Sequence, residues 1–194
     1  MRVAAVVLAA GASSRMGRNK MLLDLHGEPL VRKTVRAALN GGCDPIIVVV
    51  GPDEFVMRRA LTDLEAACVP NPSPASPPGR SFQLGLEALS DVDAAIMCLG
   101  DMVDQTAEMF QRLAEAGRED RISIVLSDFG GVVAPPYLVK RELFAEAGLL
   151  DPAGVVRQLA ETHHENTATI TWPRAFLTDV DTPDDLESVR KRPS

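Results

Sequence analysis

Neither of the two commonest nucleotide-binding fingerprints is present in this 194-residue chain. Its early glycines, Gly11 and Gly17, do not make the G-x-G-x-x-G spacing of a dinucleotide site. Lys20 stands three residues beyond Gly17 with no Ser or Thr after it, which removes a Walker-type phosphate loop. Cysteine is scarce: Cys43, Cys68 and Cys98 are the only three. Their odd number and wide spacing fit neither a disulfide framework nor a zinc site, which leaves them as buried hydrophobes. No apolar run approaches the ~20 residues of a membrane-spanning helix, and no charged, apolar and cleavable leader opens the chain, so a cytoplasmic protein is expected. Positive charge is also short. A net charge of −7 and a pI near 5.0 argue against a nucleic-acid surface or an anionic-membrane surface, each of which needs a dense basic face. Internal repeats and low-complexity segments are lacking as well.

What is present is a chain that is 46% hydrophobic, enough for one sizeable core and too short for two ordinary domains, so residues 1–194 read as one domain. Val3 to Leu8 is a β-branched run suited to a strand buried on both faces. It runs into LAAGASSRMGRNKMLL, Leu8 to Leu23, where Gly11 permits conformations and close ligand approach that a Cβ would obstruct. Backbone N–H groups there can cradle an anion, with Lys20 as a mobile point charge and Arg15 as a planar fork on phosphate oxygens. Beyond the loop, the spacing predicts a helix from Pro29 ended by Gly41-Gly42, a strand at Ile46 to Val50, a helix near Asp53 to Leu64 and a short strand at Ala67 to Val69. Four prolines between Asn71 and Gly79 make a loop over the strand ends, followed by a helix over Ser81 to Leu89. A strand at Ala94 to Leu99, a helix at Thr106 to Ala116 and a strand at Ile122 to Leu126 continue the alternation. Past Gly130-Gly131 the pattern is less regular: Val132 to Ala134 is strand-like, with helices near Val139 to Ala145 and Ala153 to Glu161. Strand character returns at Ala168 to Trp172 and Phe176 to Val180, and Thr182-Pro183 opens a final helix. This is the pattern of a mostly parallel α/β sheet, a Rossmann-like three-layer sandwich.

Asp101 follows the apolar run AIMCL through Gly100, which sets a carboxylate at a strand's C-terminal end, where open α/β sheets bind ligands. One or two such aspartates plus substrate phosphates suffice for Mg²⁺. A turn aspartate satisfying nearby N–H groups is the plainer alternative. Asp179 and Asp181 alternate on one side of the expected Phe176 to Val180 strand. Ser81 can donate to or accept from a base edge, or simply cap the following helix. His163-His164 and His26 have no clear partners and read as structural or surface residues.

Residue for residue, Leu8 to Leu23 resembles the signature LAAG-x-S-x-R-M-G-x-x-K-x-L-L of the MobA-like nucleotidyltransferases, which include the molybdenum cofactor cytidylyl- and guanylyltransferases. The resemblance implies a fold of the nucleotide-diphospho-sugar transferase type. It also implies that Leu8, Ala9, Ala10, Gly11 and Ser13 line the nucleotide and that Arg15 and Lys20 hold its phosphates. DVDTPDDL matches the family's D-x-D-T-P-E-D-L and points to Asp181 as the ligand meeting Asp101 across one Mg²⁺, although Asp181 could instead favour the positive end of the last helix. The family's G-D-Q-P appears here as Gly100-Asp101-Met102-Val103, keeping the aspartate and losing Gln-Pro. Gly79-Arg80-Ser81-Phe82 with Gly85-Leu86 is similar to the cytosine-reading region of cytidylyltransferases, in the molybdopterin branch's spacing. Ala9-Ala10, where guanylyl members carry Ala-Gly, also points to CTP. The implied reaction moves CMP from CTP to a phosphorylated acceptor, molybdopterin, with transient contact to a molybdoenzyme. A guanylyl or sugar-phosphate transferase is the alternative within the fold, and a non-catalytic cofactor escort the alternative outside it.

Overall fold

The computed structural model describes residues 1–11, 19–178, 180 and 182–191. In chain order the elements are β1 (Val3–Ala9), β2 (Asp24–Leu25), β3 (Glu28–Pro29), α1 (Leu30–Asn40), β4 (Ile46–Val50), α2 (Glu54–Ala60), β5 (Ala67–Pro70), α3 (Pro78–Glu87), β6 (Ala94–Leu99), α4 (Ala107–Ala116), β7 (Ile124–Phe129), β8 (Tyr137–Lys140), α5 (Phe144–Leu149), α6 (Val155–Thr162), β9 (Thr167–Trp172) and α7 (Pro183–Arg190). Seven strands form one sheet in the order β5-β4-β1-β6-β8-β7-β9. β8 runs antiparallel to both neighbours, and the remaining pairings are parallel.

Both faces of the sheet are covered, which explains why its central strands read as unbroken apolar runs. On one face Val3, Ala5 and Val7 pack against Val31, Val35 and Ala38 of α1 and Phe110 and Leu113 of α4. On the other, Val6, Leu8, Ile47 and Val49 meet Phe82 and Leu86 of α3, Ala147 of α5 and Val155 and Leu159 of α6. The result is a three-layer α/β/α sandwich. The chain leaves β1 toward β4 and β5, then returns to the other side of β1 with β6. The strand order therefore reverses between β1 and β6, the place where open sheets of this kind form a crevice at their carboxyl ends.

A small annex closes one side of that crevice. β2 and β3 form a hairpin whose turn residues His26 and Gly27 have φ of 56° and 90°, the positive values a two-residue hairpin turn requires. Leu25 packs with Leu186 and Val189 of α7, and the Arg190 guanidinium donates to the Asp24 carbonyl at 2.7 Å. Thr182 caps α7 in a reciprocal capping box with Asp185, with Pro183 at the first helical position. All three cysteines are buried, and burial pushes the Cys43 thiol up to about 12. No helix among the described residues is long and apolar enough to cross a membrane.

Four expectations from the sequence are corrected. The helix expected near Val139 to Ala145 begins only at Phe144, because Tyr137–Lys140 is strand β8, its Leu138 and Val139 fully buried between the two helical layers. Val132 to Ala134 contributes a lone bridge, Asp128 to Val133. Arg174–Phe176 is a 3-10 turn and no strand follows in the described part of 176–180. There Phe176 and Leu177 pack onto Met102, Phe129 and Trp172, so their apolar character serves a cluster instead of a sheet. Finally, α3 starts at Pro78, with Pro77 as its cap residue, so Ser81 lies inside the helix and does not cap it.

Candidate active site

Three strand ends converge at the reversal point: Ala9 of β1, Val50 of β4 and Leu99 of β6. Glycines follow two of them, and each lets a neighbouring group lie close. A Cβ on Gly51 would sit 2.9 Å from the Ala10 carbonyl oxygen, and one on Gly100 would sit 2.9 Å from the Met21 sulfur. Met21 is buried and belongs to a 3-10 turn, Lys20–Leu22, that Asn19 caps by accepting from the Met21 N–H at 3.0 Å. Asn19 also donates to the Asp53 carboxylate at 3.0 Å, tying the turn to the start of α2. Met21 seated over Gly100 brings its neighbour Lys20 to the residue after Gly100, and Lys20 Nζ forms an ion pair with Asp101 Oδ2. The two side chains are only 15% and 12% exposed. A buried carboxylate needs such a partner.

Asp101 is held from both sides. The Leu99 carbonyl before it accepts from Gln105 Nε2 at 2.9 Å and Thr34 Oγ1 at 3.4 Å, and its own carbonyl accepts from the Val180 N–H at 3.3 Å. Val180 stands between Asp179 and Asp181. Both of those aspartates lie outside the described residues, as do Ser13 and Arg15 of the glycine loop. Asp101 suits a hard divalent cation: it is an oxygen donor at a crevice, already facing a positive charge. Magnesium takes few protein ligands and completes its shell from water and phosphate.

Leu8, Ala9 and Ala10 are buried at the end of β1, and Gly11 follows at the crevice. Gly11 does not have a positive φ, and a Cβ there would meet nothing within 4 Å among the described residues. The backbone therefore does not demand glycine at position 11; what its absence of side chain provides is open space.

Ser81 reaches the crevice through helix packing. A Cβ on Gly85 would collide with the Val6 side chain, and one on Gly79 with the Pro152 carbonyl, so both glycines let α3 lie directly on β1 and on the segment before α6. One turn before Gly85, Ser81 lies about 6 Å nearer the strand ends. It is buried, and its hydroxyl oxygen accepts from Asn71 Nδ2 at 3.0 Å. Arg80, its neighbour, turns along the helix to Glu87 at 3.3 Å and so points away from the strand ends, where the following turns of α3 lead.

Sequence reasoning missed Asn71, Asn19 and Met21. Asn71 read only as the start of a proline-rich loop, and Asn19 and Met21 only as parts of the Leu8 to Leu23 motif. Their roles depend on contacts across 10 residues for Asn71, 34 for Asn19 and, for Met21, with Gly100 far along the chain, which no local pattern carries.

Comparison with known proteins bears on the family and the fold. The chain is 25% identical to a probable molybdenum cofactor guanylyltransferase of Natranaerobius thermophilus over 97% of this chain and 95% of that protein. It is 27% identical to another so named from Mycobacterium avium, with the same coverage. Among solved structures, Rv0371c of Mycobacterium tuberculosis H37Rv superposes with a TM-score of 0.85 at 23% identity, covering 99% of both chains; this likeness establishes the fold. The profile of the MobA-like NTP transferase domain matches residues 5–174, and the chain belongs to that family.

Proposed function

We propose that this protein is a magnesium-dependent nucleotidyltransferase that moves CMP from CTP to a phosphorylated acceptor, molybdopterin, and releases pyrophosphate. The observation that carries the reading is the buried Lys20–Asp101 pair at the strand-order reversal, a cation and a metal-type carboxylate at the place where this fold class binds nucleotides. Membership of the family and the names of the two relatives support the acceptor.

In this mechanism an acceptor phosphate attacks the α-phosphorus in line as pyrophosphate leaves. The nucleophile is already ionised, so the protein needs no general base. Lys20 leaves Asp101 for the incoming phosphates and neutralises charge on the departing pyrophosphate, with Arg15 as its second cation. Asp101 and Asp181 would hold Mg²⁺, which would supply further neutralisation of the phosphate oxygens. The buried setting strengthens each of these interactions, and alignment provides much of the remaining rate. Ala10 closes the base side and Ser81 offers a polar atom to it.

A second reading, transfer of GMP, is favoured by the relatives' names, against Ala10 and Ser81 for CMP. Incubating the purified protein with each NTP, Mg²⁺ and molybdenum cofactor, then weighing the products, tests both. The cytosine dinucleotide with equimolar pyrophosphate is expected, and Ala10→Gly should narrow the preference over GTP by about tenfold, the discrimination of a pocket that works by size. A guanine product would replace the first reading by the second. Cofactor binding without pyrophosphate release from any NTP would refute transfer and leave an escort.

A further inference from the structure

We propose that Asn71 is a positioning residue that fixes the hydrogen-bond polarity of the Ser81 hydroxyl, so that Ser81 presents a donor to the nucleotide base. The proposal rests on the nucleotide-site reading above and adds to it the direction in which the base is read.

Asn71 follows β5 and is buried. Its backbone N–H donates to the Val50 carbonyl at 2.8 Å, which fixes it at the ends of β4 and β5. Its side-chain oxygen accepts from the Ser73 backbone N–H at 2.8 Å. A backbone N–H can only donate, so the amide has one permitted orientation: oxygen toward Ser73, NH₂ toward Ser81. The bond from Asn71 Nδ2 to Ser81 Oγ at 3.0 Å therefore has a defined direction. Ser81 is the acceptor in it, and it makes no other hydrogen bond through its hydroxyl among the described residues. A hydroxyl whose oxygen is occupied by a donor has its hydrogen left to give.

With one lone pair engaged by Asn71 and no acceptor holding its hydrogen among the described residues, Ser81 meets the base as a donor in this proposal, and the base atom opposite is an acceptor. Cytosine offers N3, whereas uracil carries a hydrogen on N3; guanine offers O6, whereas adenine has an amino group there. Within each pair the two bases are nearly equal in size, so Ser81 set as a donor separates them where shape cannot. An amide that donates at this position and an aspartate that accepts would select opposite partners.

Replacing Asn71 by Asp keeps the shape and the bond from Ser73 but turns the second bond around: the carboxylate accepts from Ser81, whose lone pairs then face the base. Dissociation constants for CTP and UTP, and for GTP and ATP, would be measured calorimetrically with Mg²⁺ and no acceptor. Taking the ratio within a pair cancels any general loss of affinity from the added charge. Wild type should favour CTP over UTP, or GTP over ATP if guanine is the base read. N71D should shift that ratio by about tenfold toward the other member, the effect of one mismatched buried polar pair. Ser81→Ala should shrink the ratio, and N71D added to Ser81→Ala should change it no further. If N71D does not fold, Asn71→Ala frees the hydroxyl to turn and should bring the ratio toward that of Ser81→Ala.

A ratio that Ser81→Ala leaves untouched would remove Ser81 from the base and sink the site reading together with the proposal. A ratio changed by Ser81→Ala but not by either Asn71 variant would overturn the proposal alone. So would an N71D shift of equal size with and without Ser81, since Asn71 would then meet the base itself.

Discussion

Replacing Lys20 by Met keeps a long apolar stem and deletes the ammonium, leaving Asp101 in place with no cation from Lys20. Removing one partner of a fully buried ion pair costs about 3 to 5 kcal/mol. The Asp101 side chain is 12% exposed, so water recovers part of the loss and the lower end, about 3 kcal/mol, applies. For a chain of this length each kcal/mol moves the melting temperature by roughly 2 to 4 °C, which gives a drop of roughly 6 to 12 °C. The same variant should respond to magnesium alone. In the wild type a dication must displace Lys20 from Asp101; in the variant that position is open to it. At about 100 times its dissociation constant, magnesium contributes about 2.7 kcal/mol of stability, enough to return most of what was lost. The assay is a calorimetric melt of each protein with and without MgCl₂, in the absence of nucleotide. A variant melting within about 2 °C of wild type would show the pair to be energetically idle. Equal magnesium shifts in both proteins would show that Lys20 and the metal do not compete for Asp101, and the site as described would fail.

Other consequences are open to measurement. Asp101→Asn and Asp181→Asn should each lower turnover and raise the magnesium requirement, and the double variant should lose far less than the product of the two effects, because groups serving one ion act as a unit; independent losses in the magnesium titrations would contradict a shared ion. Gly85→Ala places a methyl against the Val6 side chain and should cost about 1 to 3 kcal/mol by overpacking, read as a lower urea midpoint with an unchanged slope. At acid pH, the hydrogen bonds from Arg32 hold the Asp63 carboxyl down at about 2 from an ordinary 3.8. A depressed carboxylate stabilises above its unfolded value, and that contribution fades as pH falls from 3.8 toward 2. Arg32→Ala should therefore lower the urea midpoint at pH 6 more than at pH 2.5; a deficit that stays constant would mean Arg32 acts through its bond to the Ala60 carbonyl and not through Asp63.

The strands buried on both faces were the most legible part of the fold. Ile46–Val50 and Ala94–Leu99 coincide with their apolar runs, since a sheet covered on both faces buries both sides of such short apolar runs. β8 escaped because it is four residues long, follows Pro135-Pro136, and carries Val139 four residues before Leu143, a spacing that also suits a helix. Phe176 to Val180 misled for the opposite reason: alternation signals a strand only if a neighbouring strand is there to pair. At the site, Asp101 was visible as the polar residue ending an apolar strand. Its pairing with Lys20 was not, because that depends on Met21 lying over Gly100. Nor was the direction of the Ser81 hydrogen bond, which is decided by a backbone N–H at Ser73.

The reversed strand β8 has a consequence for how such a chain can diversify. Parallel neighbours must be joined by a crossover of a dozen residues or more, which carries the chain to the opposite end of the sheet and back. β7 and β8 are antiparallel, so residues 130–136 turn back along the same rim on which β6 delivers Asp101. Gly130 and Gly131 take the bend with φ of 63° and 91°, and Val132 and Val133 stand exposed beside them. Lys20 and Asp101, which pair at this rim, come from the first hundred residues or so, whereas the loop 130–136 is mounted at the same opening from a later part of the chain. A lineage could lengthen, shorten or exchange it without disturbing a strand register, and so recruit a new acceptor while inheriting the old chemistry intact.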